Sequence, residues 1–160
     1  MRQALKNAAM VLALCAPCGT APHLSWNKIA YVGGTVAAQP SKYDWNITLA
    51  ITYKPDLITL TFAPSTVFGS QQVLHIKPSQ VISLSAGEAA WRHIGEVDGA
   101  KLPAKQPTLF GLLQRNGGYF GLVYQTEDGK RAAMLFESIY AFPILQALQN
   151  LTGKALEASP

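Results

Sequence analysis

The residue types that could do chemistry in this chain are few and widely spaced. Its three histidines are His23, His75 and His93, which are too few and too scattered for a metal site with ordinary ligand spacing. His93 directly follows Trp91 and Arg92, and this trio could stack on a ligand or hydrogen-bond to it. The alternative is that the trio packs across one end of the fold, which the size of these side chains favours. Trp91, Arg92 and His93 are therefore weak candidate binding residues, and we expect no metal and no cofactor.

Carboxylates that could pair in acid–base catalysis lie in the same region of the chain. Glu88, Glu96 and Asp98 are close in sequence, but the sequence gives no separation that would define a catalytic pair. The chain contains neither a Gly-x-Ser-x-Gly elbow nor a Walker phosphate-binding loop. We therefore expect no catalytic residues and a protein that is not an enzyme. A small enzyme with its site around residues 87–116 is the alternative.

A second candidate contact is the apolar run Leu-Phe-Gly-Leu-Leu at 109–113, which lies between Lys105 and Arg115. Such a loop could dip into a membrane while the cations meet anionic headgroups. The alternative is a short strand or turn that covers one end of a barrel, and the tendency of apolar runs to lie inside favours it. Leu109, Phe110 and Arg115 join the weak candidates for ligand or surface binding.

Both cysteines, Cys15 and Cys18, have the spacing of a redox motif. A thioredoxin-like site needs a strand before the motif and a helix that begins at the first cysteine, and the sequence indicates no strand there. The residues before Cys15 also resemble a lipobox. Leu14 stands where that motif normally requires a small residue, so lipid anchoring is the lesser alternative.

The first 21 residues are typical of an export signal. Arg2 and Lys6 are followed by an apolar run, 8–16, that is too short to span a bilayer comfortably, and then by small residues at 19–21. Pro22 disfavours cleavage directly before it, so an earlier cut, or an uncleaved buried helix, is the alternative. We expect a periplasmic or secreted protein.

The basic charge of the chain does not indicate a nucleic-acid partner. The 160 residues include 13 Lys and Arg against 9 Asp and Glu, a net charge of +4. Without residues 1–21 the balance is 11 against 9, or +2, and the remaining cations are scattered singly. We expect no nucleic acid and a protein or membrane surface as the partner, with the oligomeric state open.

Hydrophobic spacing predicts seven strands and one C-terminal helix. Apolar residues alternate with threonines and other polar residues in the clearest strands, 45–53 and 58–62. The helix runs from about 140 to 152, carries an apolar stripe, and ends at Gly153. The other predicted strands are 28–36, 72–77, 81–85, 117–125 and 131–137.

An antiparallel meander of this length tends to close or half-close into a barrel. The predicted fold is therefore mainly β with one C-terminal α-helix, a seven-stranded antiparallel barrel that the helix caps. Residues 29–153 form this domain, with a linker at 22–28, a long loop at 87–116 and a frayed tail at 154–160. Gly33-Gly34 predicts a bulge at the end of the first strand.

The chain resembles a family of small, uncharacterised, exported bacterial proteins with a pleckstrin-homology-like (PH-like) or GRAM-like fold. The resemblance implies a binding or scaffold domain and supplies no activity; a lipid-carrying protein is a further alternative. Such proteins often carry a basic cluster before the last hairpin, where this chain has only Arg115. The segments that carry the resemblance are Tyr31-Val32-Gly33-Gly34-Thr35, Ile76-Lys77-Pro78-Ser79-Gln80-Val81-Ile82-Ser83-Leu84, Tyr124-Gln125-Thr126-Glu127-Asp128-Gly129-Lys130, Leu135-Phe136-Glu137 and Thr152-Gly153-Lys154.

Overall fold

A computed structural model describes residues 23–41, 44–64, 69–104 and 117–157. The predicted export signal at 1–21 and the candidate residues Leu109, Phe110 and Arg115 lie outside the described residues. So do both cysteines.

The described residues form a mainly β structure with two α-helices, which confirms the predicted class at that level. A single turn of 3-10 helix spans Pro78–Gln80. The strands are β1 His23–Gly34, β2 Ile47–Tyr53, β3 Asp56–Phe62, β4 Gln72–Ile76, β5 Val81–Ala86, β6 Gly118–Gln125, β7 Arg131–Ser138 and β8 Leu156–Glu157, and the helices are α1 Gly87–Gly95 and α2 Ala141–Thr152.

All eight strands belong to one open sheet in the order β4-β3-β2-β1-β7-β6-β5-β8. Neighbouring strands are antiparallel except β5 and β8, which are parallel. The structure therefore departs from the predicted seven-stranded closed arrangement. The chain passes from β4 to β5 through the Pro78–Gln80 turn, and these two strands do not pair within the described residues.

Strand β1 joins the two halves of the sheet. Its first part, from His23 to Ile29, pairs with β2, and its second part, from Ile29 to Gly34, pairs with β7. The register shifts between Tyr31 and Gly33, so the bulge predicted at the double glycine is confirmed. The predicted linker at 22–28 was wrong, because residues 23–28 already belong to β1; their side chains are mostly exposed, so the sequence shows little apolar alternation there.

The double glycine is required by two close backbone contacts. A Cβ on Gly33 would overlap the carbonyl oxygen of Lys101, and one on Gly34 would overlap that of Ala133. Gly34 also has φ of 147°, which disfavours other residues. The Gly34 N–H donates to Lys101 O at 3.0 Å, and the Lys101 N–H donates to Gly34 O at 2.9 Å. These bonds tie the segment after α1 to the end of β1.

The larger of two hydrophobic cores, the inner core, lies on the face of the sheet that α2 covers. It takes alternate residues from the strands together with Ile144, Leu145 and Leu148 of α2. The predicted helix is confirmed, including its end at Gly153, where φ is 68°. Other fully buried inner-core side chains include Tyr31, Leu49, Ile51, Ile58, Leu60, Phe120 and Phe136.

The smaller outer core lies on the opposite face of β6 and β7, under α1. Ala90 and Ile94 of α1 pack there with Val123, Ala133 and Leu135, whose neighbours in each strand point into the inner core. The prediction of a single helix was therefore wrong. This nine-residue helix begins at Gly87, which has φ of 57°, and offers too short an apolar period to be read from sequence.

The predicted frayed tail at 154–160 also needs correction. Leu156 and Glu157 form β8, which pairs with Leu84 and Ser85 of β5. Leu156 packs against the inner core. This apolar contact and the ladder hold the chain at the sheet edge beyond the end of α2.

Candidate functional site

A cleft of about 650 Å³ lies on the outer-core face of the sheet. One side is the last turn of α1 and the segment after it. The other side is the end of the β6–β7 hairpin. Between them, β5 and β6 contribute Ile82, Ser83 and Val123. We refer to this feature as the α1 cleft.

The two sides of the α1 cleft carry charges of opposite sign. Glu96 and Asp98 line it from the α1 side, and Lys130 and Arg131 line it from the hairpin side. His93 and Val97 complete the lining on the α1 side. A polar ligand with both charges would therefore find complementary groups on either side.

His93 is held by the C-terminal strand. Its Nε2 lies 2.9 Å from Glu157 Oε2, and both side chains are partly exposed. Glu157 is opposite Ser85 in the β5–β8 pairing. The contact therefore joins α1 to β8 across the end of β5, and it fixes the orientation of the imidazole at the rim of the cleft.

Lys130 is engaged within its own turn. Its Nζ lies 2.9 Å from Asp128 Oδ2. A hydrogen bond from the Thr126 hydroxyl, together with the contact to Lys130, lowers the pKa of Asp128 to about 2. The hydrogen bond to Asp128 also raises the pKa of Lys130. Lys130 therefore already has an anionic partner.

Three other charged residues of the cleft lack such a partner among the described residues: Arg131, Glu96 and Asp98. None of the three forms an ion pair with another residue in the ranges that the structure covers. All three are exposed. Of the charged groups that line the cleft, these three are available to a ligand.

The structure separates the predicted Trp91-Arg92-His93 trio. Successive helical residues point about 100° apart, so the three side chains of α1 take different directions. Trp91 packs on the outer core and contacts Tyr119 edge to face, with ring centroids 5.4 Å apart. Arg92 is exposed and does not line the cleft. Only His93 of the trio faces it.

Of the three carboxylates noted in the sequence, Glu96 and Asp98 reach the α1 cleft, whereas Glu88 lies at the other end of α1. No sequence pattern joins them to Arg131, which is 33 residues from Asp98. Only the pairing of β6 with β7, under α1, brings these residues together. The β6–β7 turn itself has a local signal, because Asp-Gly, here Asp128-Gly129, favours a tight hairpin turn.

A second surface feature, which was not among the predicted sites, is the connection between β7 and α2. Ile139, Tyr140 and Phe142 are 45%, 38% and 77% exposed. Together they form what we call the 139–142 surface. Single exposed apolar residues are common, but three within four residues are more informative. A signal was present: Phe142 lies off the apolar stripe of α2 and next to Pro143.

Two negative findings apply to the described part of the chain. It contains no group of three or more His, Cys, Asp or Glu side chains that could hold a metal ion. None of its helices has the length and apolar character needed to cross a membrane.

Comparison with known proteins found no matching family model, no matching curated protein and no matching solved structure.

Proposed function

We propose that the chain is a non-enzymatic binding or scaffold domain of the PH-like or GRAM-like type, exported from the cell, which contacts a protein or membrane surface. The observation that carries the proposal is the exposure of Phe142, 77% in contact with solvent beside two other exposed apolar side chains. Removing such a side chain from water in a complex contributes about 1.5–3 kcal/mol to the free energy of binding. A surface of this kind is typical of a contact site.

The architecture supports a domain that presents surfaces at the ends of a sheet. β1 connects an antiparallel meander, β1 to β4, with a second one, β5 to β7, and the long C-terminal helix packs on the inner core. This arrangement is compatible with the resemblance to the PH-like family. Analogy of fold supports the type of domain and leaves the ligand to be argued from the surface.

The position of Phe142 allows it to enter a partner without unfolding the domain. It lies in the first turn of α2, whereas the residues of α2 that hold the helix to the sheet are Ile144, Leu145 and Leu148. Ser138 holds the backbone between β7 and α2 in place. Its hydroxyl donates to Lys28 O at 2.6 Å and accepts from the Tyr140 N–H at 3.0 Å. The apolar side chains therefore project from a fixed backbone.

The proposal predicts that Phe142→Asp weakens surface binding. The purified protein is tested by co-sedimentation with phosphatidylglycerol vesicles and by pull-down from an envelope extract. We expect the substitution to weaken the observed binding by about tenfold or more, because the lost apolar contact is worth more than 1.4 kcal/mol. The melting temperature should be unchanged.

Val73→Asp is the matched control, since Val73 is 47% exposed on the edge strand β4. It should bind as the unsubstituted protein does. Equal loss in both variants, or an absence of binding in both assays, would contradict the proposal. Loss with vesicles alone, or with one extract protein alone, identifies which kind of surface the domain contacts.

A further inference from the structure

We propose that the α1 cleft is a binding site for a small zwitterionic ligand of the amino-acid or short-peptide class. The ligand carboxylate lies toward Arg131 and its ammonium toward Glu96 and Asp98. Its apolar side chain covers Ile82 and Val97. This inference is independent of the surface contact proposed above, because Phe142 does not line the cleft.

The size and lining of the cleft suit such a ligand. Its volume of about 650 Å³ falls within the usual range for small-molecule sites, roughly 300–1,000 Å³. Ile82 of β5 lines the cleft and is 37% exposed. A ligand that brought an apolar group into the cleft would remove this surface from water.

Arg131 is the cation that selects a carboxylate. Lys130 is already bound to Asp128, so its charge is partly satisfied. The planar guanidinium of Arg131 can form two parallel hydrogen bonds with a carboxylate. His93 is engaged by Glu157 and serves to shape the rim.

The opposite side of the cleft favours a primary ammonium group. Glu96 is the C-terminal cap residue of α1, and Asp98 follows two residues later. The C-terminal end of a helix carries a partial negative charge, which adds to these carboxylates in attracting a cation. A quaternary ammonium such as choline is usually held by the rings of Trp, Tyr or Phe, and none of the described residues that line this cleft is of these three types. The chemistry therefore favours an amine with N–H donors.

The experiment is a titration of the purified protein with the dipeptide alanyl-leucine, followed by the amide signals of Val97 and Val123 in NMR spectra. We expect saturable shifts at both residues. N-acetyl-alanyl-leucine, which lacks the ammonium, and alanyl-leucine amide, which lacks the carboxylate, should each bind about tenfold more weakly, since a charge-assisted hydrogen bond is worth roughly 1.5–3 kcal/mol.

Two variants test which residues of the cleft bind the carboxylate and the ammonium of the dipeptide. Arg131→Gln should weaken binding of the dipeptide about tenfold and leave binding of the amide derivative unchanged. The double variant Glu96→Gln with Asp98→Asn should weaken binding of the dipeptide but not binding of the acetylated form. Arg92→Gln is the control, because Arg92 is an exposed residue of α1 outside the cleft. An absence of saturable shifts, equal effects of Arg131→Gln and Arg92→Gln, or tighter binding of phosphocholine would overturn the proposal.

Discussion

At the scale of single residues, Ser85 stands out as a buried polar group. Its hydroxyl is inaccessible to solvent and has no hydrogen-bond partner among the described residues. A Cβ placed on Gly121 would lie 2.6 Å from Ser85 Oγ and 3.0 Å from Ile94 Cγ1, so the hydroxyl lies where α1 packs on the sheet. An unsatisfied buried hydroxyl costs stability that an apolar atom at the same place would not.

We expect Ser85→Ala to raise the free energy of unfolding by about 1 kcal/mol, because alanine buries no unpaired polar atom. Urea unfolding measures the change. Ser138→Ala is the matched comparison: Ser138 is equally buried but forms two hydrogen bonds, with Lys28 O and the Tyr140 N–H. It should lower the stability by about 1–3 kcal/mol. Effects of the same sign at both serines would contradict this account.

At the scale of elements, the close approach of β1 to β7 depends on Gly34. Alanine there would meet the Ala133 carbonyl and would also take an unfavourable φ. We expect Gly34→Ala to cost at least about 3 kcal/mol, since strain of order 1–3 kcal/mol is joined by a backbone clash.

Gly99→Ala separates these two contributions. Gly99 also has a positive φ, 79°, but a Cβ there would meet no atom within 4 Å. Its substitution should cost only the conformational strain, about 1–2 kcal/mol. Thermal and urea unfolding of both variants measure the difference. If the two glycines proved equally tolerant, the close approach of β1 to β7 would not be a significant constraint.

The elements also show which parts of the fold the sequence could predict. β2 and β3 each bury one face, so Ile47, Leu49 and Ile58 alternate with polar residues and are recognisable. α2 has a long apolar stripe and a terminal glycine. By contrast, α1 buries only Ala89, Ala90 and Ile94 over nine residues, and β8 has two residues whose pairing depends on tertiary position. These short elements carry too little periodic signal.

The α1 cleft could be predicted only in part, for a related reason. Glu96 and Asp98 were noticed because they lie near His93 in sequence. Arg131 was not, because it comes from a hairpin that the sheet order places beside α1. Binding residues that come together from different strands leave no local sequence pattern. The charged residues on the hairpin side of the cleft can therefore be recognised only once the strand order is known.

At the scale of the whole molecule, β7 couples the two cores. Its residues Met134 and Phe136 enter the inner core, and Ala133 and Leu135 enter the outer core. The whole strand after Arg131 is buried, with β6 on one side and β1 on the other. A change in the packing under α1 should therefore be felt in strands that α1 does not contact.

This coupling predicts that a cavity in the outer core destabilises the entire domain. Ile94→Ala should cost about 2–5 kcal/mol, the usual range for truncating a buried aliphatic side chain. If the domain unfolds as one unit, hydrogen exchange at the amides of Leu49 and Ile58, in β2 and β3, should accelerate by the factor that this loss implies. Leu148→Ala, in the inner core, provides the reference. In both variants the rise in exchange rate at these amides should match the loss in free energy of unfolding. Faster exchange confined to α1 and β6 in the Ile94 variant would instead mean that the outer core opens on its own.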